Sequence, residues 1–192
     1  MQYKGHILNL IDTPGHSDFT YEVSRALFAV EGVILLVDST QGIQAQTLAN
    51  FHMAKRAGLK IIGAVSKIDA HPKDLEAIVK DTAKLIDVTP HEVYRVSGKT
   101  GVGVETLLDA VISKLPPPKK PDFIGSHKAA LVFDSLYDDH KGVVAHVRVF
   151  GGSFKRDDST KLVAADAHFK IKEVGYFYPK LKTGEIIGEG EI

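Results

Sequence analysis

Short apolar runs alternate with longer stretches of helical period from residue 4 to residue 115. The runs at 6–11, 33–37, 60–65 and 93–96 are too short for helices and are rich in Ile, Val and Leu without polar alternation. That is the pattern of strands buried on both faces in a parallel sheet. Between them, Phe19, Val23, Leu27 and Val30 fall on one helical face. So do Leu75, Ile78, Thr82 and Leu85, and then Val104, Leu107, Leu108 and Val111, all at a period of 3.6. Asp18 is placed to cap the first of these helices, and Pro72 to occupy the first turn of the next. The alternation predicts an α/β domain over residues 1–115.

The pattern changes at Pro116-Pro117-Pro118-Lys119-Lys120-Pro121. Proline has no amide hydrogen and biases its predecessor away from helix, so 116–125 is read as an extended linker. Beyond it, Val143, Ala145, Val147 and Val149 share one side of a strand while His146 and Arg148 take the other, as in a half-buried antiparallel strand. Gly151-Gly152 follows as a turn, with further strands expected at 129–133, 161–164 and 169–174. Residues 126–192 are therefore predicted to form a small β-barrel domain. The ending Gly188-Glu189-Gly190-Glu191-Ile192 does not read as a buried strand.

Composition narrows the chemistry. The 192 residues carry 24 Lys+Arg against 24 Asp+Glu, which removes the electrostatic argument for a free-standing nucleic-acid or membrane binder. There is no cysteine, excluding disulfides, thiolate metal sites and cysteine nucleophiles. No apolar run approaches the length needed to span a bilayer, and the first residues lack the features of a signal peptide. The cytoplasm is the expected compartment. His91-Glu92 is followed by no second histidine at helical spacing, so the remaining histidines suggest no zinc site.

Three segments at the ends of expected strands carry the candidate chemistry. The first is Asp12-Thr13-Pro14-Gly15-His16, where a strand ends and a helix is about to begin. Ligands of open parallel sheets bind at the carboxyl ends of strands, and a helix N-terminus offers free amides to phosphate. Asp12 can hold Mg²⁺ through water, and Gly15 lets its backbone approach a terminal phosphate. The second and third are Ser66-Lys67-Ile68-Asp69 and Ser97-Gly98-Lys99-Thr100-Gly101. A carboxylate at Asp69 can accept both donors of guanine's Watson–Crick edge, Lys67 can lay its aliphatic stem along the base, and amides around Gly98 can donate to a purine carbonyl. Each segment alone has a plain alternative as a capping or solvated turn. Their order places all three on one rim of one sheet.

On these residues the chain resembles a translational GTPase, most closely the LepA, or elongation factor 4, family. The resemblance rests on Leu8-Asn9-Leu10-Ile11 leading into Asp12–His16, on Asp18-Phe19-Thr20-Tyr21-Glu22-Val23-Ser24-Arg25, and on Gln44-Ala45-Gln46-Thr47-Leu48-Ala49-Asn50. It continues through the guanine-site segments and the triple proline. It implies an α/β fold, an incomplete P-loop GTPase-type parallel sheet followed by a small β-barrel. It also implies ribosome-dependent hydrolysis of GTP to GDP, with Mg²⁺ as the metal. By family pattern Asp12 supports Mg²⁺, Gly15 donates to the γ-phosphate and His16 positions the attacking water. Ser66, Lys67, Asp69, Ser97, Gly98 and Lys99 hold the base. The implied partners are guanine nucleotide and the ribosome with its RNA. Peripheral association with the inner face of the plasma membrane and the oligomeric state stay open.

The chain also departs from the family. No Gly-x-x-x-x-Gly-Lys-Ser/Thr segment occurs in it, so the amide cradle for the α- and β-phosphates is missing. In the family that element and its strand precede what is here Met1, and the strand lies between those corresponding to 6–11 and 33–37. The expectation is a piece of a longer GTPase, not competent alone, whose remaining strands pair across the gap or move to an edge. Ser66 stands where Asn is usual, Gly98 where Ala is usual, and Asp157 takes a turn position usually filled by Gly. An elongation factor G-like or ribosomal-protection GTPase is the alternative within the class. Outside it, the alternative is a non-enzymatic ribosome-associated module that has lost nucleotide binding.

Overall fold

The computed structural model describes residues 1–13, 20–118, 121, 125, 127–178 and 180–192. The chain divides into two compact units, one formed by Asp12–Pro117 and the other by Met1–Ile11 with Pro118–Ile192.

The first residues do not form the expected parallel strand. Strands β1 (Gln2–Tyr3) and β2 (His6–Ile7) make a short antiparallel hairpin in which Gln2 faces Ile7 and Tyr3 faces His6. Lys4 and Gly5, at φ 46° and 78°, form its two-residue turn, the left-handed pair that matches the twist of a tight hairpin. The Met1 ammonium and Leu8 carbonyl, 2.7 Å apart, extend the pairing. Residues 8–11 are not strand, and Leu10 is 77% exposed. The expectation that 6–11 closes onto a neighbouring strand or joins a sheet edge is therefore corrected. The hairpin pairs residues only a few positions apart, at a small loop-closure cost. Asn9 Nδ2 donates to the Gly190 carbonyl at 3.1 Å, within the same unit.

The Asp12–Pro117 unit is α/β as predicted. Helix α1 (Thr20–Leu27) leads to β3 (Gly32–Asp38), α2 (Ala45–Arg56), β4 (Lys60–Ser66), α3 (Leu75–Ile86), β5 (Tyr94–Arg95) and α4 (Val104–Lys114). The sheet runs β3-β4-β5, all parallel, with Gly32 opposite Lys60 through Asp38 opposite Ser66. On one face Val37, Val65, Val79, Ala83 and Val93 pack with α3; on the other Ile62, Ala64 and Val96 pack with Leu107 of α4. Pro72 does not enter the first turn of α3, whose N-cap is Asp74. Asp18 and Phe19 lie outside the described residues.

The second unit is all-β. Strands β6 (Ala129–Asp138) and β7 (Gly142–Gly151) form its long hairpin. They are followed by β8 (Ser153–Lys155), β9 (Ser159–Leu162), β10 (Ala167–Lys170), β11 (Val174–Tyr178), β12 (Lys180–Gly184) and β13 (Ile186–Gly188). Among the described residues these pair as antiparallel ladders β6-β7, β9-β10, β11-β12 and β8-β13. Phe133, Val149 and Val174 are buried between them. The expected inward face of β7 is only partly so, since Val143 is 75% exposed while Arg148 is 5% exposed. A register shift between Val132 and Asp134 breaks the simple alternation. The expected strand at 169–174 is instead the end of β10 and the start of β11. Asp157 takes φ 68°, left-handed geometry that Asp tolerates better than most residues. The C-terminal residues are tied in by backbone, Gly190 N donating to Val149 O at 2.9 Å and Val149 N to Glu191 O at 3.0 Å. Among the described residues no helix is long and apolar enough to cross a membrane.

Candidate functional site

Because β3, β4 and β5 are parallel, their carboxyl ends lie on one edge of the sheet, where Asp38, Ser66 and the Val96-Ser97 segment emerge. Two of the three predicted segments meet there. Ser97 is fully buried, and its hydroxyl donates to Asp69 Oδ1 at 2.6 Å. The same hydroxyl oxygen accepts from the Thr100 amide at 3.1 Å, while Ser97 N and Val102 O close the loop at 2.9 Å. Asp69 sits in a single 3₁₀ turn of Ile68–Ala70 that directly follows β4. The Ser97 hydroxyl holds the Asp69 carboxyl below the ordinary carboxylate range, with Lys99 and His71 adding to the effect. Asp69 is thus a preoriented anion, and a carboxylate with one donor bound retains further acceptor sites.

Lys67 initiates that turn in left-handed geometry, φ 58°. Its carbonyl accepts from the Ser39 hydroxyl at 3.0 Å and from the Ala70 amide at 3.0 Å. Its ammonium meets Asp38 Oδ2 at 2.7 Å. Burial pushes the Asp38 carboxyl up, but hydrogen bonds from Lys67 and from the hydroxyl and amide of Thr40 outweigh it and bring it down to about 2. Ser66 has a different role from its neighbours. Its hydroxyl reaches the Val37 carbonyl at 3.3 Å, so it stitches β4 to β3. Gly98 and Lys99 are exposed on the loop beyond Ser97, and a Cβ at Gly98 would meet nothing within 4 Å.

The first segment is not carried to this edge by a strand, because residues 8–11 are outside the sheet. Of the three segments expected on one rim, the structure places the second and third there. Asp12 is exposed, and Gly15 and His16 lie outside the described residues. Among the described residues no group of three His, Asp or Glu side chains is arranged to hold a metal. Asp12 offers one carboxylate, which suits Mg²⁺ only where phosphates and water complete the shell. Sequence reasoning missed Asp38 and Ser39. The available signal was a carboxylate followed by two hydroxyl residues at a strand end, but only the β3–β4 register shows that they face Lys67.

The elongation factor Tu GTP binding domain family matches residues 1–117. Elongation factor 4 of Rubrobacter xylanophilus is 47% identical over 185 residues, covering 93% of this chain and 30% of that protein. A mitochondrial translation factor GUF1 homologue of Physcomitrium patens is 44% identical over 186 residues, covering 97% and 27%. The chain thus spans about a third of the length of these relatives. Among solved structures, a Thermus thermophilus protein aligns over 100% of this chain and 42% of its own, with TM-score 0.74 at 20% identity. Translation elongation factor SelB of Methanococcus maripaludis, in its apo form, aligns over 99% and 42% with TM-score 0.66 at 19% identity. At those identities the likeness establishes the fold.

Proposed function

Because the chain belongs to the elongation factor Tu-type GTP-binding family, and within it to the elongation factor 4 (LepA) translational GTPases, we propose that it supplies the guanine-reading part of a ribosome-dependent GTPase. The observation that carries this reading is the Ser97–Asp69 hydrogen bond of 2.6 Å at the carboxyl end of the parallel sheet, beside Lys67. Asp69 accepts from the N1–H and N2 amino group of guanine, an arrangement adenine cannot match. Lys67 covers the base with its stem, and the loop amides at Gly98 and Lys99 face the purine carbonyl. Ser66, engaged with Val37, supports the site through the strand ends.

On the phosphate side, Asp12 would hold Mg²⁺ through water, Gly15 would donate its amide to the γ-phosphate and His16 would orient the attacking water. Phosphoryl transfer depends mainly on such positioning and electrostatics. The chain has no phosphate-cradling loop of the Gly-Lys-Ser/Thr kind, so hydrolysis and its stimulation by the ribosome belong to a protein that supplies one. Titration of the chain with fluorescent GDP, with ADP as control, tests the reading. Weak but GDP-selective binding is expected. Asp69→Asn should shift the preference toward xanthosine diphosphate, whose C2 carbonyl replaces the amino group. Equal binding of GDP and ADP, or none of either, would favour a ribosome-associated module without nucleotide function.

A further inference from the structure

Lys67 is held at both ends by the turn that follows β3. Ser39, 1% exposed, donates its amide to the Ser66 carbonyl and its hydroxyl to the Lys67 carbonyl, each at 3.0 Å. Asp38 takes the ammonium at the other end, at 2.7 Å. Asp38 is itself fixed. Its Oδ1 accepts from the Thr40 amide at 2.8 Å and the Thr40 hydroxyl at 2.7 Å, Gln41 Nε2 reaches Oδ2 at 3.3 Å, and Gly42 N bonds the Asp38 carbonyl at 2.8 Å. The partner of Lys67 is thus a braced turn and not a mobile side chain.

Two things ordinarily oppose the use of a lysine as a wall for a planar base. One is freezing a long flexible stem, and the other is holding a non-glycine residue in left-handed geometry. The ion pair to Asp38 opposes the first, and the hydrogen bonds from Ser39 and Ala70 to the Lys67 carbonyl oppose the second. The Lys67 side chain is nonetheless 61% exposed, so the clamp grips its ends and leaves surface of the side chain uncovered, two residues from Asp69. A base requires the stem, not the ammonium, so the ion pair and base contact are compatible.

We propose that Asp38 is a positioning residue for guanine recognition, holding the Lys67 ammonium so that the lysine stem forms a wall of the base site whose edge Asp69 reads. The inference rests on the guanine-site reading above. It adds a residue outside the two recognition segments, contributed by the neighbouring strand.

Asp38→Asn and Asp38→Glu in the full chain test it with two readouts. The first is the affinity for fluorescent GDP against ADP. Asp38→Asn should weaken GDP binding roughly 1.5-fold to fivefold and leave ADP binding unchanged, and Asp38→Glu should recover part of the loss. The second uses no nucleotide. An amine nitrogen engaged by a carboxylate at 2.7 Å is less open to attack on an ester, which slows its acylation. Lys67 labelling by an amine-reactive ester, mapped by peptide mass and normalised to exposed Lys99, should therefore rise in Asp38→Asn. GDP affinity that is unchanged or tighter in Asp38→Asn overturns the proposal, as does a parallel loss of GDP and ADP binding that Glu does not recover. A wild-type chain that binds no GDP defeats the guanine reading itself. Labelling then decides whether the clamp exists, and equal Lys67 labelling in wild type and Asp38→Asn overturns it.

Discussion

Ser97 exposes no surface, and its hydroxyl serves two partners, donating to Asp69 and accepting from the Thr100 amide. Ser97→Ala leaves Asp69 without its main donor and a loop amide without an acceptor. The Asp69 carboxyl, held low chiefly by that hydroxyl, is then expected to titrate at higher pH, followed by carboxyl NMR. A carboxyl with a depressed folded value contributes stability that is full above its unfolded titration range and is lost as pH falls through the folded value. The destabilisation by Ser97→Ala should accordingly be largest at neutral pH and shrink in acid. An unmoved Asp69 titration in the variant would show that another group holds the carboxyl. At this scale the meeting of Lys67, Asp69 and Ser97 at one sheet edge was legible, because the two segments follow apolar runs that read as parallel strands. Asp38 was not, since its role arises from the pairing of Asp38 with Ser66 across two strands, which no local spacing encodes.

Elements with strong periodicity and two-sided burial were read within a residue: 33–37 became β3, Gly32–Asp38, and 60–65 became β4, Lys60–Ser66. The segment 6–11 was misread because apolar content says that a strand can form, not what it can pair with. The Lys4-Gly5 turn was the overlooked local signal. Helix α2 was missed as a helix because its apolar positions form no strong stripe, and only Phe51 and Ala54 are buried. The loop that presents Ser97 ends at Gly103, which enters α4 with φ 74°. A Cβ there would fall well inside contact distance of the Arg95 carbonyl oxygen, whereas one at Gly101, φ 80°, meets nothing within 4 Å. Gly101→Ala should cost about 1–2 kcal/mol, the left-handed penalty alone. Gly103→Ala should cost about 2–4 kcal/mol, because backbone must also move. Urea unfolding of both variants measures the difference. Equal costs would mean that the β5–α4 connection yields without resistance.

Across the whole molecule, the two units differ in how far the sequence specified them. The change of pattern after the proline run correctly separated parallel α/β from antiparallel β structure, because the two burial modes leave different periods in the sequence. It did not foresee that Met1–Ile11 clusters with the all-β unit, because long-range clustering leaves no period in the sequence. Among the described residues β3 is left at the sheet edge, with Leu36 56% exposed. The edge that gathers Asp38, Ser66 and Ser97 is assembled by β3, β4 and β5, while residues 8–11 form no strand beside it. Fusing ahead of Met1 a segment from an elongation factor 4 relative that carries its strand and phosphate-binding loop should cover that edge. His6 and Ile7 should then leave the hairpin, and residues 8–11 should join the sheet as strand. The expected result is slowed amide exchange at residues 8–11 together with GDP affinity raised about a hundredfold or more, since two charge-assisted phosphate hydrogen bonds suffice for that factor. Raised affinity with exchange at 8–11 unchanged would mean that the hairpin is the stable state of this segment even in a completed sheet. The roles proposed for Asp12, Gly15 and His16 at the γ-phosphate would then fall.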